Sequence, residues 1–486
     1  MSKTALAHAL RRTLARVPAL LTALLLLTAV GCASLLWHRS WQKARGLGSA
    51  EKITSSLDAG PVGASGPAGS FTATIDYTLF GAAGDGTAST ELAWDDAWFT
   101  AAADASSYNR ELAYASAVLT AVAYSESGYY QASNDTPPYM EQALYDLGFT
   151  DVDTSSYTYR SEVVDEVLDA ATMNPNGVAY TIARKRIVDA QAPGGVRELI
   201  AVIVRGSYGS EWVSNLDLTG DEASEAADEL TRDRDAHHSG YRVAAEEILQ
   251  ALAPWREVAH TRGHEASVLL CGHSRGGAVA GLAAAMLDDE LAAAATGGQA
   301  AAQASGGEAG GDQLMASAQA SGDSSDASTG QARADKVFAY TFASPRTTVE
   351  AAAGTTDSPR YGNIFNVVSP ADPVCALPLA AWGYKRYGTD MELPGLSTDG
   401  FAEKYDKMRA AYSRLTGGAD LYDPDAEKSV RRLVRDVSAA VPTAADLMTP
   451  AGITSAAAAC ATDLDVLTIL QGHYPSAYIA WLQVLE

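Results

Sequence analysis

Gly272-His273-Ser274-Arg275-Gly276 sets a serine between two glycines, a G-x-S-x-G spacing that lets the backbone turn sharply enough to push the hydroxyl clear of a sheet. A serine hydroxyl is a weak nucleophile unless a base takes its proton and a third group orients that base. The chain has eight histidines, and only His473 lies downstream of Ser274. Serine nucleophiles at strand-to-helix elbows are followed along the chain by the acid and then the histidine, so His473 is the candidate base and the acid must fall between them. Asp372 fits best: it follows the apolar run 364–368 and a Ser369-Pro370 break, which puts it on a loop at a strand's C-terminal edge, where catalytic groups gather in open α/β sheets. Asp390, Asp463 and Asp465 are its rivals. A tetrahedral oxyanion needs two preorganised N–H donors. The Arg275 amide, just after the nucleophile, supplies one; the turn Ile203-Val204-Arg205-Gly206-Ser207 supplies the other through the Ser207 amide, freed by Gly206.

Such a set needs a strand, a tight turn and a helix around the serine. Val268-Leu269-Leu270-Cys271 is a short apolar run of the kind found in buried parallel strands, and the small residues of 276–281 open a helix expected to end near Glu290. Further strands are expected over 178–188 and 198–204, as a hairpin around Ala192-Pro193-Gly194-Gly195, and over 336–342 and 364–368. Apolar residues recurring near a 3.6 period predict helices over 108–124, 141–147 and 241–252, then over 401–415, 425–440 and 443–447. This alternation argues an α/β fold with a mostly parallel central sheet. Residues 71–175 are expected to pack on it as a helical shoulder, and 395–467 to form a helical cap. Residues 292–334, rich in Ala, Gly, Ser and Gln, bury too little apolar surface to offset ordering entropy and read as a disordered insertion within one domain spanning 71–486.

With 47% hydrophobic residues the chain can bury a large core, and a net charge of −24 disfavours nucleic acid as a partner. Four widely spaced cysteines without a CxxC pair signal neither a zinc cluster nor a disulfide framework; whether Cys375 and Cys460 pair is left open. Basic residues in 1–16 precede an apolar run over 17–37, long enough to cross a bilayer. An uncleaved anchor, a lipoprotein signal ending at Cys32 and a signal cleaved near Ala33 are the three versions it allows. A Gly, Ala, Ser and Pro tether over 38–70 follows. The expected location is the cell membrane with the catalytic domain outside the cytoplasm, or secretion.

Val204-Arg205-Gly206-Ser207 followed by Glu211-Trp212 and Asn215, His238-Ser239-Gly240-Tyr241, the Gly272–Gly277 stretch, Thr341-Phe342-Ala343-Ser344-Pro345-Arg346, Asp372-Pro373-Val374 and His473 together resemble the class 3 lipases, the fungal-lipase-like branch of the α/β-hydrolases. The resemblance spans roughly 178–485. It implies an α/β-hydrolase fold and esterase or lipase activity, with Ser274, Asp372 and His473 as the triad, Ser207 and Arg275 as the oxyanion donors, and residues 208–218 as a helical lid. Arg275 stands where these lipases commonly carry Leu, and a cation there favours an acidic or phosphate-bearing substrate. No metal cluster or dinucleotide fingerprint accompanies the site, so no cofactor is expected. Acyl transfer or amide hydrolysis on the same triad, and a non-catalytic binding role, are the alternatives; an acceptor other than water and a failure to react with a serine-directed phosphonate would respectively mark them.

Overall fold

A computed structural model describes residues 67–79, 86–131, 138–158, 178–206, 239–305, 334–349, 358–447, 449–463 and 471–485. The first two strands, β1 (Ser70–Thr78) and β2 (Thr87–Asp95), pair antiparallel as a separate hairpin. They lead to helices α1 (Arg110–Gln131) and α2 (Tyr139–Asp146), then to β3 (Asp151–Asp153), β4 (Tyr180–Val188) and β5 (Val196–Val204). Helix α3 (Ser239–Thr261), strand β6 (Glu265–His273), helix α4 (Arg275–Ser305) and strand β7 (Lys336–Phe342) form the central crossovers. Next come β8 (Thr348–Val349), β9 (Ile364–Val368), the short helix α5 (Pro373–Ala376), β10 (Tyr384–Lys385) and β11 (Thr389–Glu392). Helices α6 (Phe401–Leu415), α7 (Ala426–Ala440), α8 (Ala444–Leu447), α9 (Pro450–Asp463) and α10 (Pro475–Val484) complete the described chain.

The main sheet runs β11-β9-β7-β6-β5-β4-β3. From β5 to β11 every pairing is parallel, whereas β4 meets both β5 and β3 antiparallel. This is the expected α/β architecture with a mostly parallel central sheet. The β4–β5 hairpin turns on Gly194 and Gly195, whose φ of 70° and 72° only glycine adopts without penalty.

Side chains alternate across a strand, and both faces of this sheet are covered. Leu269, Cys271, Phe338, Tyr340 and Phe342 point into a core shared with the β1–β2 hairpin, α1 and α10. Val268, Leu270, Val337 and Ala339 point into a second core shared with α3 and α4. That two-sided burial is why β6 and β7 read as continuous apolar runs instead of alternating ones.

Two expectations need correcting. The shoulder over 71–175 is not simply helical, because it opens on the β1–β2 hairpin, in which Thr72-Ala73-Thr74-Ile75-Asp76-Tyr77 alternates inward Ala73, Ile75 and Tyr77 with more exposed polar residues. Helix α4, expected to end near Glu290, runs on to Ser305, consistent with the high helix propensity of the alanines there; of the segment 292–334, only 306–333 falls outside the described residues. The helices expected over 401–415, 425–440 and 443–447 are present as α6, α7 and α8. The apolar run 17–37, most of the tether 38–70, Ser207 and the lid segment 208–218 all lie outside the described residues, as does Asp465. No helix among the described residues is long and apolar enough to cross a membrane.

Candidate active site

Strand β6 ends at His273 and α4 begins at Arg275, so Ser274 is the single residue between them. Its φ is +56°, a left-handed conformation that residues other than glycine adopt at a cost of about 1–3 kcal/mol. The Ser274 N–H donates to the Phe342 carbonyl at 2.8 Å, and its carbonyl accepts from the Ala278 N–H at 3.0 Å; these two bonds hold the turn. The flanking glycines are needed for close approach. A Cβ on Gly272 would stand 2.2 Å from the Gly276 carbonyl oxygen, and one on Gly276 would stand 2.4 Å from that of Val204.

Asp372 follows β9 at the C-terminal edge of the sheet, as expected, and is 1% exposed. Its Oδ1 accepts the Val374 N–H at 2.9 Å, capping α5, which fixes the carboxylate plane. Its Oδ2 accepts from His473 Nδ1 at 2.7 Å and from the Tyr478 hydroxyl at 2.7 Å. With its proton on Nδ1, His473 carries its lone pair on Nε2, the form a general base requires. His473 is fully buried, just ahead of α10, and its ring centroid lies 4.8 Å from that of His273, the residue before the nucleophile. The structure therefore brings the acid, the base and the serine loop together. Of the rival acids, Asp390 pairs with Arg386 at 2.7 Å and Asp463 ends α9.

Gly206, the last described residue before the proposed lid, sits against the nucleophile: a Cβ there would lie 3.2 Å from the Ser274 Cβ and 2.5 Å from the His273 carbonyl oxygen. The Arg205 guanidinium donates to the Gly206 carbonyl at 3.0 Å through Nε and to Ser127 Oγ at 2.8 Å through Nη1. Arg275 opens α4, so its amide belongs to the end of the helix whose N–H groups point out of the ladder.

Sequence reasoning missed the contacts of Tyr124, Tyr478 and the His273 ring. Tyr124 approaches from α1, 149 positions before His273, and no local pattern announces it. Burial, followed by the Asp372 charge, pushes the Tyr478 hydroxyl well above its ordinary range, which keeps it a donor to that carboxylate. Cys375 is a free thiol, buried 3.6 Å from Asp372 Oδ2 and 3.3 Å from the Tyr478 hydroxyl. Among the described residues no group of three or more His, Cys, Asp or Glu could hold a metal ion.

Residues 201–304 match the family described as Lipase (class 3). That segment carries β5, the Gly206 turn and the whole elbow. No curated protein matches the chain. Solved structures similar to it include a Rhizomucor miehei lipase propeptide complex, 17% identical, covering 59% of this chain and 68% of that one at a TM-score of 0.32. A lipase from Rhizopus microsporus var. chinensis is 14% identical over 58% of this chain and 74% of its own, at a TM-score of 0.31. A mono- and diacylglycerol lipase from Aspergillus oryzae is 17% identical over 60% and 81%, at a TM-score of 0.28.

Proposed function

We propose that this chain, whose residues 201–304 match the class 3 lipases, is a carboxylic ester hydrolase that cleaves its esters through an acyl-enzyme on Ser274. His473 Nε2 takes the proton from Ser274 Oγ as that oxygen attacks the ester carbonyl, and returns it to the leaving alcohol. The Arg275 and Ser207 amides hold the oxyanion, each donor worth about 2.7–4 kcal/mol of transition-state stabilisation. Water, activated by the same histidine, then releases the acid and restores the serine. Asp372 holds the imidazole through Nδ1. The carrying observation is the 2.7 Å Asp372–His473 bond beside a serine at φ +56°: a buried carboxylate orienting a buried base next to a strained serine has no simpler use in a core.

Lipid esters are the proposed substrates, on the strength of the family. The proposed location is outside the cytoplasm, tethered or delivered by the apolar run 17–37, which leaves the hydrolase facing extracellular or envelope lipids. Hydrolysis of p-nitrophenyl esters from acetyl to palmitoyl by the full chain, beside a Ser274→Ala control, tests the reading. Activity confined to the unsubstituted protein supports it and the chain-length optimum separates esterase from lipase; equal release by both proteins on every ester refutes it.

A further inference from the structure

The triad chemistry leaves the imidazole of His273 unused, although it is 1% exposed and lies against both the nucleophile and the base. Its Nε2 is 2.7 Å from the main-chain carbonyl oxygen of His473. A carbonyl only accepts, so Nε2 carries a hydrogen. Burial and then the neighbouring His473 ring hold the His273 pKa well below its ordinary value, so the ring is neutral and Nδ1 is an acceptor. The Tyr124 hydroxyl, 3.0 Å from Nδ1, is then the donor. Both ring nitrogens are thus engaged, one to a helix on the sheet's face and the other to the backbone of the proposed base. The rings of Tyr124, His473 and Tyr478 meet that of His273 edge-on, at 5.7, 4.8 and 5.9 Å, which leaves it little room to rotate.

We infer that His273 is a positioning residue: it anchors the His473 backbone, while Tyr124 fixes the His273 tautomer that makes this anchor possible. The Asp372–His473 bond holds the imidazole at Nδ1. A second point, at the carbonyl of the same residue, determines where the ring begins and so keeps Nε2 in reach of Ser274. The same hydroxyl of Tyr124 bounds the oxyanion turn, since a Cβ on Gly206 would come within 2.1 Å of it. One tyrosine–histidine pair thereby registers base, nucleophile and oxyanion turn to each other. The inference rests on the triad proposed above.

The test compares His273→Phe, which fills the space without a donor, with His273→Gln, whose amide Nε2 can donate near the position of the lost ring nitrogen. On a p-nitrophenyl ester that the unsubstituted full chain cleaves, His273→Phe is expected to lower kcat by about 10²-fold with KM nearly unchanged, the size of effect that a misplacement of about 1 Å produces. His273→Gln should recover at least tenfold of that loss. Tyr124→Phe should lower kcat by several-fold in the native background and add nothing once His273 is Gln. A purely structural role would lower the melting temperature of Phe and Gln variants alike, without a kcat–KM split or rescue. If folded His273→Phe keeps kcat within twofold, or Gln rescues nothing, the inference falls. Imidazole 15N resonances of the unsubstituted chain at neutral pH give a readout that does not depend on activity: protonated Nε2 and bare Nδ1 on His273 support the arrangement, and the opposite tautomer overturns it even if the chain proves inactive on every ester.

Discussion

Asp372 Oδ2 accepts its two shortest hydrogen bonds, both 2.7 Å, from His473 Nδ1 and from the Tyr478 hydroxyl, with the Cys375 thiol a longer third donor at 3.6 Å, and the roles of the first two differ. The first sets the tautomer of the base; the second sets the carboxylate. Asp372→Asn would turn an acceptor into an amide and favour the wrong tautomer, so kcat should fall by about 10⁴-fold while the protein stays folded. Tyr478→Phe removes one hydrogen bond to a charged acceptor and leaves the carboxylate held by His473 and the Val374 amide, so the loss should be nearer tenfold, from about 1.5 kcal/mol. Steady-state kinetics on one ester check both, and a Tyr478→Phe loss as large as that of Asp372→Asn would contradict this division of labour. At this scale the candidate triad is legible because chain order leaves a single histidine after Ser274. Tyr124 and Tyr478 are not, because their contacts depend on which faces of α1 and α10 meet the sheet.

The elbow joins three elements through backbone contacts. Gly276 opens α4 against the ends of β5, where a Cβ would meet the Val204 and Arg205 carbonyls at 2.4 and 2.6 Å. Gly276→Ala must therefore push helix from strand. The expected cost is about 1–3 kcal/mol by urea unfolding, with an activity loss beyond what that implies, because the strand end that moves carries the Gly206 turn; unchanged stability and rate would show that the contact yields freely. Strands β6, β7 and β9 and the cap helices α6 and α7 were readable from apolar runs and a 3.6 period. The β1–β2 hairpin is hard to read despite its alternation and the Asp85-Gly86 dipeptide, because eight residues, 79–86, separate its strands where a tight hairpin has two. The length of α4 was hidden by the low complexity that suggested disorder.

Across the whole sheet, the ends of the parallel strands have different work. The proposed catalytic groups sit at the C-terminal ends, and ion pairs at the N-terminal ends. There Arg197 pairs with Asp189 at 2.9 Å and with Glu265, Glu198 pairs with Arg262 and His264 at 2.9 and 3.0 Å, and Asp335 meets Arg256 and His260 at 3.3 and 3.0 Å. Burial works to raise the carboxyls of Asp189, Glu198 and Asp335, but their hydrogen bonds and cationic neighbours outweigh it and hold all three below the ordinary range. A depressed folded pKa adds stability above the unfolded value, about 3.9 for Asp and 4.3 for Glu, that is lost as pH falls through the folded value. The melting temperature should therefore drop steeply below about pH 4, and less steeply in Asp335→Asn. Glu126 has the opposite sign. Buried in α1 with Oε2 accepting the Met140 N–H at 2.8 Å, it is raised to about 7, chiefly by burial. The unfolded chain ionises this group from about pH 4.3 while the folded one keeps it neutral up to about 7, so stability is lost over that range and the loss is complete above it; Glu126→Gln should therefore stabilise the protein by up to about 3 kcal/mol at pH 8 and by almost nothing at pH 4. Thermal melts at the two pH values check the sign. All of this scaffolding serves one serine, and a fluorophosphonate probe tests that most directly. After labelling of the full chain, peptide mass spectrometry should find a single adduct on Ser274, absent from Ser274→Ala and strongly slowed in a folded Asp372→Asn. An adduct on another serine, or undiminished labelling of Ser274→Ala, would contradict the assignment of the nucleophile.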